Sequence, residues 1–355
     1  MSGVSKKVRI AIDAMGGDYA PEEIIKGAVV AAQKGDVEIA LVGPLDILKR
    51  EIAKCDSSAG LPIRCVQAGD VIKESESPAL AVRRKPDSSI AVATKLVKAG
   101  EADAVVGAGS SGAVAVSAIQ YLGMIEGLER PAIGGTFGSF APNIVLMDFG
   151  ANVDCKPYQL LTFAIAGSVF AKKFFNIADP TVGLLSTGVE ESKGNEVVRE
   201  SYSLLRNSGL NFIGNIEGSD ILSGKANVVV CDGFVGNVIL KFYESLGDHA
   251  LNYMKRKLKK YPPLSGIAKL VFNRLFPVTK MSYEGEEEGG GILWGVNGVV
   301  RIAHGASRAP HIACAIASAR KAVEANIVGY LKSELAKFQK EGKLRRRYKC
   351  LLKRK

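Results

Sequence analysis

Three glycine-spaced segments carry the residue types that hold anions and polarise carbonyls. The first is Gly107-Ala108-Gly109-Ser110-Ser111-Gly112, which follows an apolar run and precedes a helical pattern. Glycines let backbone N–H groups approach an anion, and a helix N-terminus favours negative charge. The spacing also fits the G-x-G-x-x-G dinucleotide signature. That signature wants an acidic residue about 20 residues on, at the end of the next strand, to hold the ribose. The corresponding stretch, Ala132-Ile133-Gly134-Gly135-Thr136-Phe137-Gly138-Ser139, contains no carboxylate. Gly109, Ser110, Ser111 and Gly112, with two adjacent hydroxyls, suit a small anion better than a pyrophosphate. The competing reading is a plain tight turn.

The second segment runs Leu184-Leu185-Ser186-Thr187-Gly188-Val189-Glu190-Glu191-Ser192-Lys193-Gly194-Asn195. Strand carboxyl ends are where α/β sheets bind ligands, and a lysine there can neutralise a phosphate or a developing oxyanion. Against this stands an ordinary solvated lysine. Glu190 and Glu191 read as helix-start charges or as partners of Lys193, not as a catalytic carboxylate pair. The third segment is Val228-Val229-Val230-Cys231-Asp232-Gly233-Phe234-Val235-Gly236-Asn237. Asn237 can donate a neutral hydrogen bond to a carbonyl or phosphate oxygen, and Asp232 reads as a turn or cap residue. Activating Cys231 for acyl transfer would want a histidine or another positive neighbour. The chain has only His249, His304 and His311, and neither of the last two stands in metal-ligand spacing. Both are read as structural.

Such segments need a scaffold that presents strand ends, and the hydrophobic pattern supplies one. Short Val/Ile/Leu runs ending in glycine alternate with longer helical patterns, the signature of α/β architecture with a parallel sheet. Strands are predicted at Val8–Ile12, Val37–Val42, Ala104–Gly107, Ile144–Met147, Val182–Leu185 and Val228–Val230. A first helix has Pro21, Glu22 and Glu23 in its first turn, where proline's missing donor is harmless and carboxylates suit the dipole. Further helices are predicted at Ser88–Ala99, Gly112–Met124, Tyr158–Phe175 and Asn195–Asn207, from about Gly236 to Lys260, and from Pro310 to about Gln339. The expected body is one doubly wound unit over residues 1–342, with a protruding amphipathic helical segment at 262–282 and a basic tail at 343–355.

Composition narrows the function classes. The net charge is +11, but Lys343, Arg345, Arg346, Arg347, Lys349, Lys353, Arg354 and Lys355 supply eight of those charges. The body is therefore only mildly basic, and no nucleic-acid partner is expected. The six cysteines are scattered without a C-x-x-C pair, which indicates neither a zinc site nor a disulfide framework. No apolar run is long enough to span a bilayer, and the first residues lack the apolar stretch of a signal peptide. A soluble cytoplasmic protein is expected. One segment qualifies that: Leu264, Ile267, Val271 and Leu275 fall on one helical face, after Lys255-Arg256-Lys257-Leu258-Lys259-Lys260. A core helix and an interfacial membrane helix both fit this pattern.

Taken in order, Asp13-Ala14-Met15-Gly16-Gly17-Asp18, the Gly-Ser-Ser-Gly loop, Asp148-Phe149-Gly150-Ala151-Asn152-Val153-Asp154-Cys155, Glu191-Ser192-Lys193-Gly194-Asn195 and Asp232-Gly233-Phe234-Val235-Gly236-Asn237 resemble the PlsX family, the acyl-acyl carrier protein:phosphate acyltransferases. The matches run from near residue 8 to about residue 325. The resemblance implies a homodimeric, Rossmann-like fold of the isocitrate/isopropylmalate dehydrogenase-like superfamily, with no metal and no cofactor. It implies acyl carrier protein and inorganic phosphate as substrates, and delivery of acyl phosphate to a membrane glycerol-3-phosphate acyltransferase for phospholipid synthesis. It also implies peripheral contact with the inner face of the cell membrane through a helical tip, where Leu270, Val271, Leu275 and Phe276 lie. Lys193 and Asn237 fall on the family's active-site lysine and asparagine, and Ser110 and Ser111 on its glycine-loop Asn-Thr. The family's usual Asn-Ile-Gly-Glu-Glu reads Ser186-Thr187-Gly188-Val189-Glu190 here.

Because a carrier protein is acidic, Arg83-Arg84-Lys85 is the expected docking patch, with a solvated charge run as the alternative. Three other functions fit parts of the pattern: a phosphate acetyltransferase, a nicotinamide-dependent dehydrogenase, for which His304-Gly305-Ala306-Ser307 resembles an adenine loop, and a non-enzymatic scaffold binding membrane or nucleic acid through the tail. The absent ribose carboxylate and the lack of clustered aspartates speak against the dehydrogenase.

Overall fold

The computed structural model describes residues 7–55, 58–136, 143–259 and 290–340. Eleven described strands form one sheet: β1 (Val8–Asp13), β2 (Val37–Gly43), β3 (Ile63–Gln67), β4 (Ala104–Gly107), β5 (Ala132–Thr136), β6 (Val145–Met147), β7 (Thr181–Leu185), β8 (Asn211–Ile216), β9 (Val228–Val230), β10 (Gly291–Trp294) and β11 (Val299–Ile302). Their spatial order is β3-β2-β1-β4-β11-β10-β5-β6-β9-β7-β8. The helices are α1 (Glu22–Gln33), α2 (Leu45–Ala53), α3 (Pro78–Arg84), α4 (Ser89–Lys98), α5 (Ser111–Leu122), α6 (Pro157–Phe174), α7 (Glu196–Arg206), α8 (Gly218–Ser223), α9 (Gly233–Lys259), α10 (Ala309–Glu324) and α11 (Ile327–Lys340).

Strands covered on both faces read as continuous apolar runs, and β1 shows why. Ile10 and Ile12 are buried in the core shared with α1, α6 and α10, while Ala11 is buried in the opposite core with residues of α3, α4 and α5. Helix α6 is buried over most of its length, and its Phe170 stacks on Phe174 at 4.4 Å and lies 5.9 Å from Trp294. It forms the central pillar of the larger core.

The sheet is mixed rather than parallel throughout. Strands β3, β2, β1, β4 and β11 are parallel, as are β6, β9, β7 and β8. Between these blocks, β10 pairs antiparallel with β11 and with β5, and β5 pairs antiparallel with β6. The two blocks therefore point in opposite senses along the sheet. Elements that follow strands of the two blocks nonetheless approach each other. A side-chain contact confirms the approach: Nζ of Lys241 on α9 lies 3.2 Å from Nε2 of His304, in the loop after β11.

The single helix expected over 310–339 is two helices. The chain breaks at Asn326, whose φ of 48° is left-handed; asparagine tolerates that region where larger residues do not. The segments 262–282 and 343–355 lie outside the described residues. Among the described residues, no helix is long and apolar enough to cross a membrane.

Candidate active site

The block β6-β9-β7-β8 ends in three loops that carry the Asp148, Asp232 and Lys193 segments. Asp148 organises the first. Its side chain is wholly buried, and Oδ1 accepts from the N–H groups of Ile133 (3.0 Å), Gly150 (3.1 Å) and Ala151 (3.0 Å). Oδ2 accepts from the backbone N–H and the Nδ2 of Asn152, both at 2.8 Å. Burial pushes this carboxyl above the ordinary aspartate value, and the hydrogen bonds oppose that shift. The Asp-Phe-Gly triplet is thus a structural knot that joins β5 to the turn after β6.

That knot seats the start of α9. Gly233 N–H donates to Asn152 O at 2.7 Å, and Val235 N–H donates to Asp232 Oδ1 at 2.8 Å, so Asp232 caps the helix. A Cβ at Gly236 would overlap the carbonyl of Asp148, and one at Gly150 would meet the Asn237 side chain at 3.3 Å. Both glycines are there for close approach. Asn237 is exposed and packed over Gly150, one helical turn before Lys241 on the same side of α9.

Lys193 sits on the loop after β7, and β7 pairs directly with β9. Its backbone N–H donates to Glu190 O at 3.0 Å, and the same carbonyl accepts from Asn215 Nδ2 at 2.8 Å. Asn195 then caps α7 by accepting from Val198 N–H at 2.9 Å. The Lys193 side chain is exposed. Glu191 pairs with Arg206 at 2.8 Å, so it is not held by Lys193 as one sequence reading had it.

The glycine loop belongs to the other block, at the carboxyl end of β4. A Cβ on Gly16 would lie 2.6 Å from Asp13 Oδ2 and 2.8 Å from Gly109 N. Two backbones meet here with no room for a side chain. Asp13 is buried, its Oδ1 accepts from Met15 N–H at 3.1 Å, and burial pushes its carboxyl up. Ser110 stands at the N-cap of α5 without a side-chain cap bond. Ala303 N–H donates to Gly107 O at 2.9 Å and Asp18 N–H to Gly305 O at 2.8 Å, so the His304 loop closes the group.

The structure thus places Lys193 and Asn237 after the neighbouring strands β7 and β9, and Gly109, Ser110, Ser111 and Gly112 after β4 in the other block. Sequence reasoning gave Lys241 and His304 no part in this site. Lys241 lies in no motif and His304 only in the adenine-loop-like His304-Gly305-Ala306-Ser307; the fold juxtaposes them. Arg83 and Arg84 are exposed at the end of α3, whose first residue, Pro78, packs on Gly112. Lys85 is half-buried and pairs with Glu76 at 2.8 Å. Leu270, Val271, Leu275 and Phe276 lie outside the described residues.

Two thiols near the site are ill suited to act as nucleophiles. Burial pushes Cys155 up to about 12 and Cys231 well above its ordinary value, with Asp148 and Asp232 adding to both shifts. A cavity of about 250 Å³ lined by Arg9, Glu38, Arg64 and Glu101 lies at the opposite, amino ends of β1–β3 and contains none of these residues. Among the described residues, no group of three or more His, Cys, Asp or Glu is placed to hold a metal ion.

A family model described as fatty acid synthesis protein matches residues 8–329. The phosphate acyltransferase of Pelotomaculum thermopropionicum is 47% identical over 335 residues, covering 94% of this chain and 97% of the relative. That of Trichodesmium erythraeum is 44% identical over 331 residues, covering 92% and 96%. Among solved structures, a phosphotransacetylase from Streptococcus pyogenes matches with a TM-score of 0.59 and 20% identity, over 90% of this chain and 95% of the other. A 4-hydroxythreonine-4-phosphate dehydrogenase from Klebsiella pneumoniae matches with a TM-score of 0.50 and 14% identity, over 91% and 99%. These structural likenesses establish the fold alone.

Proposed function

The chain belongs to the fatty acid synthesis protein family and is a phosphate acyltransferase; from that premise we propose that its acyl donor is the thioester of an acyl carrier protein and that Lys193, Asn237 and the Gly109–Gly112 loop carry the reaction. The observation that supports this reading most is the placement of the Lys193 loop and the Asn237 turn at the carboxyl ends of the paired strands β7 and β9. Phosphate is already anionic at neutral pH and needs positioning more than activation. Backbone N–H groups around Gly109, Ser110, Ser111 and Gly112, together with Lys193, hold it beside the thioester.

One phosphate oxygen bonds to the carbonyl carbon, and the carbonyl oxygen becomes an oxyanion stabilised by Lys193 and Asn237. Collapse breaks the carbon–sulfur bond. The products are acyl phosphate and the carrier thiolate, a good leaving group because thiols have a pKa near ~8.5. Incubating the purified protein with acyl carrier thioester and phosphate should yield acyl phosphate. Asn237→Ala should lower turnover more than it raises the phosphate KM. An effect confined to that KM would make Asn237 a binding residue only.

Further parts of the reading rest on surfaces. Arg83 and Arg84 dock the acidic carrier, roughly 10 Å along the seven-residue α3 from the glycine loop. Helix α9 exposes Phe234, Val238, Phe242 and Leu246 at four-residue spacing, an apolar row suited to the isologous interface of a homodimer. The finer kinship is to the isocitrate/isopropylmalate dehydrogenase-like folds, in one catalytic body over residues 1–342. The product feeds a membrane glycerol-3-phosphate acyltransferase in phospholipid synthesis from the cytoplasmic face.

Contact with that face is assigned to residues 262–282, with the tail at 343–355 in support. Each aliphatic or aromatic side chain fully transferred from water contributes roughly 1.5–3 kcal/mol. Tail cations contribute about 1 kcal/mol each near an anionic surface, and salt screens them. Glutamate at Leu270 and Phe276, or at Val271 and Leu275, should therefore release the enzyme from anionic liposomes at any salt while acyl-phosphate synthesis persists. Truncation after Gly342 should weaken binding only at low salt. The opposite pattern would make the tail the anchor.

A further inference from the structure

Strand β8 closes one edge of the sheet and carries none of the site motifs, yet it buries an amide beside the Lys193 loop. Asn215 is in register with Leu184 of β7 and is 3% exposed. Its Nδ2 donates to Glu190 O at 2.8 Å. A carbonyl only accepts, so this bond fixes the orientation of the amide. Oδ1 is left buried, and among the described residues no group donates to it. An apolar side chain would avoid that desolvated acceptor, so stability alone does not favour an asparagine here. What the amide contributes is the position of one carbonyl.

That carbonyl governs where the Lys193 side chain lies. Glu190 O also accepts from Lys193 N–H at 3.0 Å, which closes a four-residue turn over residues 190–193. The turn doubles the chain back, and the lysine stem returns onto Gly188. A Cβ at Gly188 would lie 2.9 Å from Lys193 Cγ and 3.3 Å from its Cδ. Beyond the lysine the chain is pinned again, at Gly194, whose φ is 92°. A Cβ there would lie 2.6 Å from Val198 Cγ1 on α7 and 3.0 Å from Ser186 Oγ. Lys193 thus stands between a pin on β8 and a pin on α7. The first of these depends on a single side-chain bond.

We propose that Asn215 is a positioning residue for acyl transfer: by holding the Glu190 carbonyl from β8, it aims Lys193 at the reacting atoms. This rests on the reading that Lys193 acts on the phosphate and on the developing oxyanion. A displacement of about 1 Å caused far from the chemistry can cost roughly 100-fold in rate. A buried amide that never touches substrate can therefore control turnover.

The test uses Asn215→Leu and Asn215→Ala, which remove the donor, and Asn215→His, which restores a nitrogen donor at the same number of bonds from Cα. Each is made alone and together with Lys193→Ala, and initial rates are taken against phosphate and against an acyl carrier thioester. Alone, the leucine and alanine variants should lose about tenfold or more in kcat, with the thioester KM within about threefold of wild type. The histidine variant should recover part of that loss. With the lysine already removed, the same substitutions should change the residual turnover by less than about twofold, because Asn215 acts only through Lys193. Hydrogen exchange over residues 186–195 reads the pin without reference to activity, and should quicken in both donorless variants.

Thermal unfolding gives the folded fraction of each variant, and the alanine variant carries the test if leucine does not fit. Turnover per folded protein within about twofold of wild type overturns the proposal, whatever the melting temperature. So does a tenfold loss that recurs beside Lys193→Ala, since Asn215 would then act on something other than the lysine. Failure of the underlying reading is distinguishable: Lys193→Ala alone would keep near-wild-type turnover, while exchange over 186–195 would still respond to Asn215.

Discussion

Lys193→Ala is expected to lower acyl-phosphate turnover by roughly 100-fold or more, the usual loss when a preorganised oxyanion stabiliser is removed. The lysine serves two demands: it offsets the charge of the phosphate as that anion approaches, and it stabilises the negative oxygen that forms on the thioester carbonyl. A loss on binding alone would appear in the phosphate KM. The second role acts only as the reaction proceeds, so kcat should fall as well. Stability should hardly change. The side chain is exposed, and the loop is held through the Glu190 carbonyl, which accepts from Lys193 N–H at 3.0 Å and from the Asn215 side-chain Nδ2 at 2.8 Å. Lys193→Arg keeps the charge but replaces a compact ammonium with a planar fork, so partial activity is expected. Turnover of Lys193→Ala within a few-fold of wild type, in a protein with an unshifted melting curve, would remove Lys193 from the chemistry.

The parts of this site that local pattern specifies were legible in the sequence. Ala104–Gly107 and Val228–Val230 are strands at the residues expected, because short apolar runs that lead into glycine-containing turns leave little ambiguity when both faces are buried. Helix α7 begins where Asn195 caps it, and Asp232 acts as a cap. The edge strands escaped. Strand β3 (Ile-Arg-Cys-Val-Gln) and strand β8 (Asn-Phe-Ile-Gly-Asn-Ile) are half-exposed and carry polar residues, so no apolar run marks them. Strands β10 and β11 are four residues each, and their pairing makes the antiparallel seam that turns a parallel expectation into a mixed sheet. That seam is non-local and decides which loops meet. This is why Lys193 and Asn237 were reachable from motif and resemblance while the meeting of Lys241 with His304 was not. Asp148 lies between these cases: its triplet was visible, but its role depends on donors from Ile133 on the neighbouring strand β5 and from the turn that follows it.

Asp148→Asn should destabilise the fold by ~3 kcal/mol or more, since each orphaned buried donor costs about 1–3 kcal/mol. The substitution conserves shape, which isolates the hydrogen bonds from packing. It replaces one acceptor oxygen with an NH2 group. In either amide orientation, that group faces N–H donors: Asn152 N–H and Nδ2 on one side, or those of Ile133, Gly150 and Ala151 on the other. The side chain is wholly buried, so water cannot take the place of the lost acceptor. Two opposed effects set the expected size. Burial favours a protonated carboxyl, and if the proton were present the asparagine would be nearly isoenergetic with the wild type. Five donors favour the carboxylate, because a proton on either oxygen would itself point at a donor. The measured difference in denaturant unfolding therefore reports which effect wins: a loss of ~3 kcal/mol follows from an ionised Asp148, and a loss below about 0.5 kcal/mol would show that the folded protein carries it neutral. The same variant should lose turnover beyond its folded fraction. Asn152 O accepts from Gly233 N–H at 2.7 Å and Gly236 packs directly on the Asp148 carbonyl, so loosening this knot shifts the first turn of α9 and moves Asn237 away from the oxyanion it is proposed to stabilise.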